Sequence, residues 1–278
     1  MPVTELALLL LGLMVGSFLN VCIVRIPLTE SVVFPHSHCP HCGSAIKPYD
    51  NVPVFSYLLL RGKCRFCQQK ISWQYPVVEV LTGLTFWMTY RCLNLDARSI
   101  ILLGFFSAIW VLVFIDLNHR ILPNVITLSG IVLGLVFSLI APVRDGTAAF
   151  ILGLFDGVPS NPTWMSFLDS LMGALVCGGF LWAVAEVYLG IRKIEGLGFG
   201  DIKLMAMVGA FLGVKLTLLT IMLGSMMGAV IGMIFIKLTG KDSRYELPFG
   251  SFLGLATIIS ALWGRQIING YARIVHGL

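Results

Sequence analysis

Charge is what this chain has least of. Only 12% of its 278 residues are Asp, Glu, Lys or Arg, against roughly a quarter in soluble domains. The apolar share is 57% and the mean hydropathy +0.90. No single core of this length hides that much apolar surface from water, so lipid must serve as part of the solvent. Internal repeats and low-complexity tracts are missing, and so is the glycine fingerprint of a Rossmann-type nucleotide site. The net charge of +5 is small and implies no nucleic-acid partner; in a membrane chain Lys and Arg report topology first. No basic stretch precedes the first apolar run: Glu5 is the only early charge, and Arg25 follows the run. A secretory signal peptide has the opposite order, so the first segment reads as an uncleaved span with its N-terminus outside.

What the chain does have is a series of apolar stretches near the ~20 residues that cross a bilayer. They cover residues 6–24, 76–93, 99–116, 125–141, 167–190, 202–214, 216–236 and 249–268. The expected fold class is an all-α polytopic membrane protein of about eight transmembrane helices. With the N-terminus outside, that count puts 13 of the 19 Lys and Arg residues inside and six outside, as the positive-inside rule requires. Two polar segments interrupt the series. Residues 27–75, rich in Pro, Cys, His and Gly, form a cytoplasmic insert; residues 142–166 form an outer loop, with a short interfacial helix expected at 148–155. The expected organisation is residues 1–26 as the first span, 27–75 as the insert, and 76–278 as a membrane core of about seven spans.

Four of the seven cysteines lie in the insert, as Cys39-Pro-His-Cys42 and Cys64-Arg-Phe-Cys67, 21 residues apart. Two C-x-x-C turns supply the four corners of a closed tetrahedral Zn2+ site, which marks structural rather than catalytic zinc. Gly43 follows the first pair and would relieve its tight turn. An insert this short has little core of its own, and a bound metal replaces apolar burial there. The alternatives are a disulfide pair, disfavoured on the cytoplasmic side, or a redox C-x-x-C, for which no thioredoxin-like βαβ unit is evident. His36, His38 and His41 crowd the first pair but read as exposed loop residues, since four cysteines fill the shell.

Asp116 closes the third apolar stretch and Asp201 opens the sixth, within Gly198-Phe199-Gly200-Asp201. Carboxylates at membrane depth are costly and are functional or paired. The topology above brings both to the cytoplasmic rim, where two carboxylates can share a proton. One then activates water while the other polarises a carbonyl, which is aspartyl proteolysis. Glycines beside Asp201 let a substrate chain approach closely. Pro123 would make residues 115–124 a turn between spans. The alternatives are interfacial caps paired with Arg120 or Lys203, ion or proton sites of a transporter or channel, or an assembly factor whose aspartates only hold helices together. Glu79 and Glu186 read as partners of basic residues or as cavity lining. Asp145, Asp156 and Asp169, in or beside the outer loop, read as solvated.

Over nearly its whole length the chain resembles the bacterial type IV prepilin peptidases, bifunctional leader peptidase/N-methyltransferases of the inner membrane. The likeness rests on GSFLNVCIVRIP at 16–27, the paired C-x-x-C insert, YPVVEVLTGL at 75–84, the Asp116 segment and EGLGFGDIKLMAMVGAFLG at 195–213. It implies Asp116 and Asp201 as the catalytic pair and Cys39, Cys42, Cys64 and Cys67 as zinc ligands. It also implies prepilin and pseudopilin substrates, cut after a glycine on the cytoplasmic side, and methylation of the new N-terminal residue from S-adenosylmethionine. Some members carry further acids near the first aspartate, where this chain has Asn118. The cofactor site, if placed at the insert and the cytoplasmic ends of spans one and two, draws on Asn20 and Glu79.

Overall fold

A computed structural model describes residues 3–143, 145–154, 161–193, 196–239 and 247–276. The sequence readings on Arg144, Phe155, Asp156, Glu195, Lys241 and Arg244 lie outside the described residues. The described residues are helical, with no strand, only two isolated bridges. The helices are α1 (Val3–Arg25), α2 (Phe55–Leu59), α3 (Gln74–Leu93), α4 (Ala97–His119), α5 (Asn124–Ile140), α6 (Thr147–Gly153), α7 (Pro162–Arg192), α8 (Phe199–Thr239) and α9 (Phe249–His276). Five of them, α1, α4, α7, α8 and α9, are long and apolar enough to cross a membrane. The count of eight spans rests further on α3, on the shorter apolar α5, and on a break inside α8. The chain divides into two compact units, Met1–Ile115 and Asp116–Leu278.

In the first unit, α1 and α3 touch backbone to backbone. A β-carbon on Gly12 would lie 2.7 Å from Gly83 Cα, and one on Gly16 would lie 2.7 Å from Glu79 Cα. Without a hydrophobic force between helices in lipid, close approach of small residues is what holds such pairs. Polar ties fix the register. Trp87 Nε1 and Arg91 donate to buried Glu5 at one end, and Asn20 Nδ2 donates to the Tyr75 carbonyl at 3.0 Å near the other. The expected hairpin after α3 is built by Asn94 in the left-handed region (φ 62). A reciprocal cap follows, with the Ser99 N–H on Asp96 Oδ1 at 2.7 Å and the Asp96 N–H on Ser99 Oγ at 2.8 Å. Trp110 Nε1 then ties α4 to Thr85 of α3.

In the second unit, α8 breaks at Gly213, whose φ of 80° and ψ of −178° are not helical. Residues on both sides of the break lie against one stretch of α7: Gly173 meets Gly209 and Gly213 Cα, while Cys177 Sγ is 3.8 Å from the Val214 carbonyl. The segment after the break packs antiparallel to α9, with Leu216 against Gly264, Gly224 against Leu253 and Gly232 beside Leu247. This is the division expected between spans 202–214 and 216–236. A β-carbon at Gly213 would also lie 2.7 Å from Asp145 Cβ. Gly213→Ala is therefore expected to cost about 2 kcal/mol, from left-handed strain and overpacking together, read as a lower thermal midpoint.

Three expectations are corrected. Asp169 is buried, 3% exposed, because it accepts the N–H groups of Gly146 and Ala148 and so fixes the start of α6. Asp145 is half-buried and accepts the Lys215 N–H. The helix before Pro123 runs on to His119, so Asp116 stands in the last two turns of α4, not in a turn. Pro123 acts four residues later, as the cap residue that opens α5.

Candidate active site and metal-holding insert

Within the second unit, Asp116 from the end of α4 and Asp201 from the first turn of α8 are 5% and 8% exposed. They face each other across Gly250 of α9. A β-carbon there would lie 3.0 Å from Asp201 Oδ1 and 3.1 Å from Asp116 Oδ2. Hydrogen there, in place of a side chain, leaves room for a water or a carbonyl between the acids. Ser251 completes the arrangement: its backbone N–H (2.7 Å) and its hydroxyl (2.8 Å) both donate to Asp116 Oδ2. Two donors on one oxygen suit a carboxylate that carries charge. Asp201 has the helix N-terminus around it and its own N–H on the Gly198 carbonyl at 3.0 Å. Gly200 packs on Leu122, where a β-carbon would lie 3.1 Å from Leu122 Cβ.

Lys203, one of the two basic residues weighed as a structural partner, is engaged elsewhere. Its Nζ donates to Asn124 Oδ1 at 2.7 Å and lies 4.6 Å from the Phe199 ring centroid. The Arg120 N–H closes the end of α4 on the Asp116 carbonyl, and its charge acts on the Asp116 carboxylate. Ser251 and Gly250 were not singled out by sequence reasoning. The signal available was Pro248-Phe249-Gly250-Ser251, a Pro and a Gly opening an apolar stretch.

In the first unit, the two C-x-x-C turns are near copies. In each, the first cysteine's N–H bonds to a carbonyl five residues on (Cys39 to Ser44, Cys64 to Gln69), and a left-handed residue closes the turn: Gly43 (φ 68) in one, Gln68 (φ 59) in the other. Flanking bridges pair His38 with Ala45 and Lys63 with Lys70. The four sulfurs lie within 4.8 Å of one another. Cys39 and Cys67 Sγ are 3.8 Å apart, near the tetrahedron edge of about 3.8 Å that a 2.3 Å zinc–sulfur bond implies. The donor set and its spacing fit such an ion. Hydrogen bonding between the Cys42 thiol and the Ser44 hydroxyl, then from the Ser44 backbone N–H, pulls Cys42 down to about 6, which favours a ligating thiolate there. Cys67, despite a lowering bond from the Gln69 backbone, is pushed up to about 11 by burial and the neighbouring sulfurs. His36, His38 and His41 are exposed, as expected.

Arg65, inside the second turn, clamps Asp50 through Nε (2.8 Å) and a terminal nitrogen and holds the Asp50 carboxyl below its usual range. Glu79 of α3 reaches the insert directly, its Oε2 accepting the Val54 N–H at 2.7 Å. Asn20 and Glu79 are thus both buried at the base of the insert, and Asn20 Oδ1 has no partner among the described residues.

Comparison with known proteins gives a consistent answer. The bacterial Peptidase A24 N-terminal domain matches residues 10–93, and the Type IV leader peptidase family matches residues 103–233. A prepilin leader peptidase/N-methyltransferase of Pseudomonas aeruginosa is 35% identical, covering 96% of this chain and 92% of the relative. One of Stutzerimonas stutzeri is 34% identical over 96% and 93%. One of Myxococcus xanthus is 40% identical over 86% of this chain and 65% of the relative. No solved structure matches. With likeness of this extent on both halves of the sequence, the chain belongs to the type IV leader peptidase family.

Proposed function

We propose that this protein is a membrane aspartic endopeptidase that removes the leader peptide of prepilins and pseudopilins, cutting after a glycine. The reading is carried by Asp116 and Asp201, two buried carboxylates facing each other across a glycine. Asp116, with two donors on Oδ2, serves as the base that takes a proton from water. Asp201 supplies a proton to the scissile carbonyl oxygen, and the water oxygen bonds to the carbonyl carbon. As the tetrahedral species collapses, the C–N bond breaks, the leaving amine takes the proton that Asp116 had received from water, and a hydroxyl of the tetrahedral carbon returns a proton to Asp201. The protein sits in the inner membrane with its N-terminus outside, its insert and both aspartates cytoplasmic. Residues 27–75 hold structural zinc on Cys39, Cys42, Cys64 and Cys67, and residues 76–278 form the peptidase core. A transporter or channel would use the same acids as ion sites, but it gives the tetracysteine insert no role.

The relatives' names support a second activity, methylation of the new N-terminal amine. S-adenosylmethionine would supply an electrophilic methyl group. Asn20 and Glu79 fit a role in holding it, as buried polar groups beside the insert with one orphaned oxygen. The test is incubation of the purified protein with a prepilin, followed by mass spectrometry. A product cut after glycine supports the peptidase, and one methyl heavier with S-adenosylmethionine present supports the transferase. An uncut prepilin removes the first reading, and a cut product lacking the methyl removes the second. Ser251→Ala, which keeps only the backbone donor to Asp116, is expected to lower kcat roughly tenfold at unchanged KM. Ser251→Thr, which keeps both donors, should stay near the parent rate.

A further inference from the structure

Arg25 ends α1 and is only 8% exposed. Its guanidinium donates to the carbonyls of Ser31 (2.9 Å) and Pro35 (2.7 Å), and no carboxylate among the described residues forms an ion pair with it. Ion pairs elsewhere in this unit join Arg65 to Asp50 and Arg91 to Glu5. Arginine does not lose its proton in proteins, and a buried charge without a counter-charge is strongly unfavourable. Arg25 also lines a cavity of about 590 Å³, within the roughly 300–1,000 Å³ of ligand sites. Met14, Phe18 and Val21, on successive turns of α1, form one wall; Val33 and Phe55 from the insert form another. The cavity is charged at the Arg25 end and apolar over most of the rest of its lining, with Ser17, His36, Ser37 and Asn51 as the other polar residues.

We propose that this cavity binds a phospholipid of net negative charge, with its phosphate on Arg25 and one acyl chain against Met14, Phe18 and Val21. Arg25 stands at the end of its span, where headgroups lie, and basic sites at that level take anionic lipid. A water-soluble anion would neutralise Arg25 but leave the apolar wall uncovered. An uncharged apolar segment would cover the wall and leave the charge.

The test uses the full chain purified in neutral detergent. Native mass spectrometry and thermal unfolding are recorded with phosphatidylglycerol, phosphatidylcholine, inorganic phosphate or S-adenosylmethionine. Phosphatidylglycerol is expected to be retained and to raise Tm, while phosphatidylcholine does neither. Arg25→Gln should weaken that retention about fivefold or more. Because Arg25 also holds two carbonyls, Val21→Trp serves as the second variant. It fills the apolar part, leaves the Arg25 hydrogen bonds in place, and should also abolish retention without loss of bound metal. Equal retention of both lipids would overturn the proposal, as would a Tm rise from inorganic phosphate alone. So would unchanged phosphatidylglycerol retention in either variant, including a case where Arg25→Gln loses only S-adenosylmethionine.

Discussion

Asp116→Asn and Asp201→Asn are each expected to lower prepilin cleavage by about a thousandfold or more, since positioned acid–base groups contribute roughly 10²–10⁴ each and the two act as one unit. Both substitutions keep shape and remove the ability to carry or move a proton. In Asp116→Asn the amide oxygen can still accept the Ser251 N–H and hydroxyl, so the α4–α9 contact within the second unit should survive and the variant should fold. In Asp201→Asn the new side chain is of the same size and stays in the first turn of α8. Unequal loss would also inform. If Asp116 is the base, its variant cannot activate water at all, whereas the amide of Asp201→Asn can still donate a weak hydrogen bond to the carbonyl. A larger deficit at position 116 is therefore the expected order, read from single-turnover rates on one prepilin.

The second large effect concerns the insert. Removing metal with a strong chelator, or replacing Cys64 with Ser, is expected to unfold residues 27–75, α2 included, while the long apolar helices persist. Structural zinc contributes about 10–16 kcal/mol in small domains of this kind, more than the packing of so short a segment can replace. What holds the insert otherwise is modest: the Arg65–Asp50 clamp, the Arg25 bonds to the Ser31 and Pro35 carbonyls, the Val54–Glu79 bond and a few turns. Limited proteolysis and metal analysis check the result, with one metal per chain in the parent and early cleavage of the insert after chelation. Acid should act in the same direction. Hydrogen bonding with Ser44 lowers the Cys42 thiol, and metal binding requires deprotonated sulfurs, so metal release should follow their protonation as pH falls.

Much of this site was legible in the sequence for physical reasons. A carboxylate in an apolar run and a repeated C-x-x-C are rare enough to stand out one residue at a time, and Gly43 marks a turn that needs a left-handed residue. The break between Gly213 and Lys215 was visible because a charge punctuates the apolar run. Other features have no such mark. Ser251 looks like any small residue of a membrane helix, and only the fold brings its donors to Asp116. Gln68 repeats the part of Gly43 with a residue that gives no hint of positive φ. Asp169 read as solvated because loop acids usually are; its burial depends on two N–H groups 21 and 23 residues earlier. Arg25 read as a topological charge, and its burial without a counter-ion is a property of the insert folded over it.

The most direct measurement of the central claim is cleavage of one prepilin by the parent and the two Asn variants, with metal content and thermal unfolding recorded on the same preparations. All three are expected to hold one metal per chain and to unfold at similar temperatures, with product cut after glycine accumulating from the parent at least about a thousandfold faster than from either variant. Parent-like cleavage by a folded, metal-loaded Asp116→Asn or Asp201→Asn protein would contradict that claim.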